Sequence, residues 1–121
     1  MFMRPLSLQP IRTVFWCSAT VLTVASLVPV DLLPQQAATI WDKGQHAFGF
    51  GWLTLVGLLA YRHKPWTVII ALLVYGGVIE LLQAATGWRH GEWLDLLADF
   101  IGVLIGTALW LVVQRLSTPQ T

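Results

Sequence analysis

LDLLADFIGVLIGTALWLVV, residues 94–113, is a twenty-residue run whose only ionisable side chains are Asp95 and Asp99. At ~1.5 Å per residue such a run reaches ~30 Å, the thickness of a bilayer's hydrocarbon core. Asp95, Asp99, Gly102 and Gly106 are spaced i, i+4, i+7 and i+11, which places them on one helical face. Ionisable side chains are costly in hydrocarbon, so they usually turn toward the protein interior or a wet cavity. The stretch therefore reads as a transmembrane helix with one polar, small-residue face turned toward partner helices.

Three further apolar stretches complete the set, at about 11–28, 44–61 and 66–85, each of roughly 18–20 residues. Backbone polar groups in lipid must bond internally, and β-barrel strands would be shorter and alternating, so all four are helices. The expected fold is an all-α membrane protein, a four-transmembrane-helix bundle forming a single domain over residues 1–121.

Composition agrees. Of 121 residues, 56% are hydrophobic and 11% charged, about half the charged share of a soluble domain. A net charge of +1, with no basic stripe interleaved with aromatics, excludes a nucleic-acid partner. Cys17 is the only cysteine, so no internal disulfide forms. It sits in an apolar run and reads as a small hydrophobe rather than a reactive thiol. Residues 1–28 also admit a cleavable signal peptide with a small-residue site at Thr23 to Ser26, but the apolar run exceeds a usual signal core and Pro29 follows closely, so a retained first helix is the expectation.

The connections differ in character. Residues 29–41 carry Pro29 and Pro34 and read as a loop, with a short interfacial turn around Asp31 to Leu33. Residues 62–65 form a tight basic turn, residues 86–93 a polar loop with Gly87 and Gly91, and Ser117 to Thr121 a loose tail. Arg4, Arg12, Arg62, Lys64 and Arg115 fall on one side, which puts both termini in the cytoplasm. Trp16, Tyr61, Trp66 and Trp110 fit the inner interface, and Trp41, Trp88 and Trp93 the outer one. Trp52 and Tyr75 lie near mid-membrane and break the pattern.

The polar residues form three stripes. Asp42, His46 and Gly49 share one face of the second helix, and Gly76, Glu80 and Gln83 one face of the third. The fourth carries Asp95, Asp99, Gly102 and Gly106. Gly49, Gly76, Gly102 and Gly106 are expected at close helix crossings, with Gly102 and Gly106 forming a GxxxG pair. Glu80 lies roughly 8 Å below the outer end of its helix, level with Asp99 and His46 in antiparallel neighbours. Gln83 and Asp95 lie above them, and Arg89 hangs over from the loop. The expectation is an outward-opening pocket lined by Asp42, Lys43, His46, Glu80, Gln83, Arg89, Asp95 and Asp99.

Several of these have plainer readings. Asp95 suits the positive end of the helix macrodipole, and Asp42 with Lys43 forms an ordinary interfacial pair. Asp31, Arg89, His90 and Glu92 read as solvated loop residues. Glu80 has no plain reading at its depth and is expected to pair with Arg89, His46 or Lys43, or to be protonated.

At these residues the chain resembles the VanZ-like family of small bacterial membrane proteins. The resemblance rests on Asp42-Lys43-Gly44-Gln45-His46 with Phe48, on Glu80-Leu81-Leu82-Gln83, on Arg89, and on Asp95-Leu96-Leu97-Ala98-Asp99 with Gly102 and Gly106. It covers about residues 12–113. The family often has Asn where this chain has Asp99, which makes the pocket more acidic here. The resemblance implies a four-helix polytopic protein, and its founding member's role in teicoplanin resistance links it to the cell envelope.

Three functions follow as expectations. The first is a binding protein for an envelope lipid or glycopeptide-related small molecule. Lys43 and Arg89 would meet an anion, Glu80 and Asp99 would accept hydrogen bonds, Gln83 would orient them, and His46 would titrate. The second is a membrane-embedded enzyme, using His46 and Glu80 as acid and base or holding a divalent cation among the acids. No HExxH, GxSxG or cysteine-nucleophile motif supports it, so no catalytic residue is assigned and no cofactor or metal is expected. The third is ion or proton translocation, which the scarcity of ionisable residues in the inner half disfavours. Membrane lipids are the expected surroundings, and a homo-oligomer is compatible with the sequence.

Overall fold

Proline and glycine decide where the helices begin and stop. In a computed structural model describing residues 7–32, 42–89 and 91–118, with the side chains of Val30 and Asp42 left aside, four long helices run antiparallel in sequence order. Helix α1 (Gln9–Leu27) has Pro10 in its first turn and ends before Pro29. A 3₁₀ turn over Val30–Leu32 occupies the place of the expected interfacial turn. Helix α2 spans Asp42–Ala60. Helix α3 (Pro65–Thr86) starts on its proline and stops at Gly87, whose φ of 80° is a left-handed cap that glycine adopts without strain. Helix α4 (Trp93–Ser117) carries Asp95 in its first turn and Arg115 in its last, both suited to the macrodipole.

Helix α4 extends beyond the expected apolar stretch, so Ser117 is helical rather than the start of a tail. Arg4, Leu33, Pro34, Trp41 and His90 lie outside the described residues.

α2 packs against all three other helices, most extensively against α4. Its residues Phe50, Leu53, Val56 and Leu58 join Phe15, Val68, Leu72 and Val103 in one apolar core. The α2–α4 contact is backbone to backbone. A Cβ at Gly102 would collide with the Ala47 carbonyl, and one at Gly106 would lie 2.5 Å from the Gly51 carbonyl oxygen. Glycine is needed at both positions for that approach.

The outer faces are apolar: Val21, Ile70 and Leu104 are 68%, 57% and 54% exposed. Three helices, α1, α3 and α4, are long and apolar enough to cross a membrane. α2 differs because Asp42, Lys43, Gln45 and His46 fill its first turns.

The two mid-bundle aromatics that broke the interfacial pattern have their polar tips satisfied on α1. Trp52 Nε1 donates to Ser18 Oγ at 3.0 Å, and Tyr75 Oη is hydrogen-bonded to Thr23 Oγ1. Such tips can sit deep because each bond replaces the missing water.

Candidate functional site

The antiparallel order brings the start of α2, the end of α3, the start of α4 and the end of α1 to one end of the bundle. At the opposite end Arg12 donates from Nε to the Ala60 carbonyl and stacks 4.7 Å from the Tyr61 ring centre. Arg62 and Lys64 are exposed there. The acidic and basic ends are thus separated by the length of the helices.

His46 and Asp99 form the centre of the acidic end. His46 Nδ1 stands 2.8 Å from Asp99 Oδ1, and both side chains are buried. His46 Nε2 faces Asp95 Oδ2 at 3.9 Å. The i, i+4 spacing of Asp95 and Asp99 lets one helical face address both ring nitrogens. Asp95 is itself 3% exposed, so its place in the first turn of α4 is interior rather than a solvated cap.

Lys43, one turn before His46, closes the rim. Its Nζ lies 3.1 Å from Glu92 Oε2 and 3.4 Å from Asp95 Oδ1. Glu92, expected to be solvated, is half-exposed but tied twice into the site: its backbone N–H also donates to Glu80 Oε2 at 3.1 Å. Glu80's other oxygen, Oε1, is sealed from solvent with no hydrogen-bond partner among the described residues, as is Gln83 Oε1. Gly91 permits this loop to lie on α3, since a Cβ there would be 2.8 Å from the Glu80 carbonyl oxygen.

Not every expected member faces the centre. Gln83 is buried, yet its Nε2 donates to the Ser26 carbonyl at 2.9 Å and so holds the end of α1. The Arg89 backbone N–H donates to Thr86 Oγ1, and no described carboxylate lies within 4.0 Å of its guanidinium. The side chain of Asp42 lies outside the described residues.

The four expected small-residue contacts all touch a neighbouring helix. A Cβ at Gly76 would come 3.2 Å from Asp99 Oδ2, and one at Gly49 would come 3.1 Å from Leu22. Gly51 and Gly57, which the stripes did not include, are equally tight, against Gly102 and against Phe15 with Val68. Trp88 was also missed as a tie: its Nε1 donates to the Leu27 carbonyl at 2.8 Å.

The acidic end is filled by its own side chains, with Asp95, Asp99 and Gln83 each at most 3% exposed. Two open grooves lie elsewhere on the molecule. One, of about 570 Å³, runs between α1 and α3 along Phe15, Trp16, Val68, Leu72 and Tyr75. The other, of about 490 Å³, runs between α1 and α2. Both are apolar clefts on the faces turned to the surroundings and carry none of the acidic end's carboxylates.

Chemically, the end offers a buried imidazole between two carboxylates, a third carboxylate with a spare oxygen, and a cation at the rim. It can hold a proton, an ion or a polar group. A family model described as VanZ/LLP1 matches residues 3–114 of the chain. Compared with curated proteins and with solved structures, the chain has no match.

Proposed function

The chain belongs to the VanZ/LLP1 family, and from that premise we propose that it is a cell-envelope protein of the bacterial cytoplasmic membrane that binds the polar part of an envelope lipid or a glycopeptide-related molecule. On this reading all four helices cross the bilayer. α2 does so by hiding its polar first turns against α3 and α4. Both termini are cytoplasmic, as the arginines and lysine at the basic end favour. The acidic end then lies at the head-group level of the outer leaflet.

The observation carrying the reading is the convergence of Lys43, His46, Glu80, Asp95 and Asp99 at one end of an apolar-clad bundle. Arg89 stands beside it with no described carboxylate to neutralise it, which suits it to an anionic head group. The carboxylates would accept hydrogen bonds from hydroxyl or amine groups of the same ligand. Because the centre is closed, the ligand engages the rim first, at Lys43, Arg89 and Glu92.

Native mass spectrometry of protein extracted from its own membranes tests this. An anionic lipid retained above its bulk abundance, and depleted at least several-fold by Arg89→Ala, is the expected result. Retention matching bulk composition in both forms would remove the reading.

A further inference from the structure

We infer that His46, Glu80 and Asp99 form a binding site for one first-row divalent metal ion. One ligand atom from each lies within 4.8 Å of the others, and all three side chains are buried. The three come from α2, α3 and α4, so an ion there would clamp three helices at one point.

The distances suit a metal. Around an ion with bonds near 2.1 Å, neighbouring octahedral ligands stand about 3.0 Å apart and opposite ones ~4.2 Å. His46 Nδ1 and Asp99 Oδ1 already stand 2.8 Å apart. With all three ligand atoms inside 4.8 Å, the remaining adjustment falls to Glu80, whose carboxylate ends a flexible side chain.

An independent observation points the same way. Glu80 is 8% exposed, and its Oε1 is sealed from water without a hydrogen-bond partner among the described residues. A buried carboxylate oxygen left so is costly unless something positive meets it. Lys43 is directed to Glu92 and Asp95 instead. The surrounding contacts are those of a supported metal ligand set: the Glu92 N–H fixes Glu80 Oε2, and Asp95 lies beside the far nitrogen of His46.

The donor set names the ion class. One imidazole nitrogen and two carboxylates, without thiolate, suit Mn²⁺, Fe²⁺ or Zn²⁺ better than soft Cu(I), and the nitrogen favours them over Mg²⁺ or Ca²⁺. A dication balances the two carboxylates. On binding, the proton between His46 Nδ1 and Asp99 Oδ1 leaves to solvent, the ring keeps its other proton on Nε2 beside Asp95 and stays a neutral imidazole, and the metal takes the lone pairs of Nδ1 and Oδ1.

This inference stands apart from lipid binding, because its test uses Mn²⁺ alone on delipidated full-length protein in detergent. Titration followed by electron paramagnetic resonance should show one saturable Mn²⁺ per chain, with a nitrogen coupling from the imidazole. Glu80→Gln and Asp99→Asn should each weaken binding at least tenfold. Asp31→Asn, an exposed acid on the 3₁₀ turn, should leave it within twofold. A folded, monodisperse wild-type protein with no saturable Mn²⁺, or with bound Mn²⁺ lacking nitrogen coupling, overturns the site, and the wild-type measurement needs no variant to fold. Binding unchanged in Glu80→Gln overturns it equally.

Discussion

His46 Nδ1 and Asp99 Oδ1 meet at 2.8 Å across the α2–α4 interface, fifty-three positions apart in the chain. The bond can form because glycines on both helices bring the backbones together one and two turns deeper, at Gly51, Gly102 and Gly106. Removing one partner leaves the other buried without it, the situation that makes broken buried pairs expensive. Asp99→Ala should therefore destabilise the bundle by about 1–3 kcal/mol, and Asp99→Asn by less. In a double-mutant cycle with His46→Ala, unfolding in mixed micelles should report a coupling of at least ~1 kcal/mol. Additive effects would mean that the two side chains do not act together.

Gly106 and Gly77 make a matched comparison. A Cβ at Gly106 would stand 2.5 Å from the Gly51 carbonyl oxygen and 2.7 Å from Thr54 Cβ, neither able to move without moving α2. At Gly77 a Cβ meets nothing within 4 Å. Gly106→Ala should lower the thermal midpoint in detergent clearly, by an overpacking cost of about 1–3 kcal/mol. Gly77→Ala should be neutral or raise it, since alanine favours helix by up to ~1 kcal/mol. Equal effects at the two sites would contradict the backbone contact.

Sequence reading reached the helices but not all of their partners. The apolar runs are long and uninterrupted, and Pro29, Pro65 and Gly87 punctuate them, so four helices could be placed close to their observed bounds. Equal depth was legible too, because 1.5 Å per residue converts position into height. The partner of Glu80 was not. The sequence offered Arg89, His46 or Lys43, but Glu80 Oε2 takes the Glu92 backbone N–H, and a backbone donor leaves no mark in residue identity. Gln83 likewise binds a main-chain carbonyl on α1 rather than the carboxylates. Gly51 and Gly57 escaped because a glycine-rich helix in contact with three neighbours uses more than one face.

Lys43 separates a rim contact from a buried one. Its bond to the half-exposed Glu92 contributes little, because water screens an exposed pair. Asp95 is different, because its side chain is almost wholly buried and Lys43 Nζ lies 3.4 Å away. Lys43→Ala should thus destabilise more than Glu92→Gln, which keeps both the Lys43–Asp95 contact and the N–H that holds Glu80. Unfolding curves for the two variants and the double variant check this. A larger loss in Glu92→Gln would place the weight of the rim on the exposed pair.

The proposed orientation rests on an asymmetry that labelling can read. At the end holding Arg62 and Lys64 the cations are exposed, while at the other end Lys43 is engaged by Glu92 and Asp95. Cations retained by the cytoplasm are counted in short loops, and the 61–64 turn is such a loop. Asp31, on the 3₁₀ turn after α1, and His63, in that basic turn, are exposed at opposite ends of the bundle. With Cys17 replaced by alanine, cysteine placed at Asp31 should react with an impermeant maleimide on intact cells, and cysteine placed at His63 should react only after the membrane is opened. The reverse pattern would turn the acidic end toward the cytoplasm. An outer-leaflet ligand could then not reach Lys43 or Arg89, while the His46–Glu80–Asp99 metal site would stand unaffected.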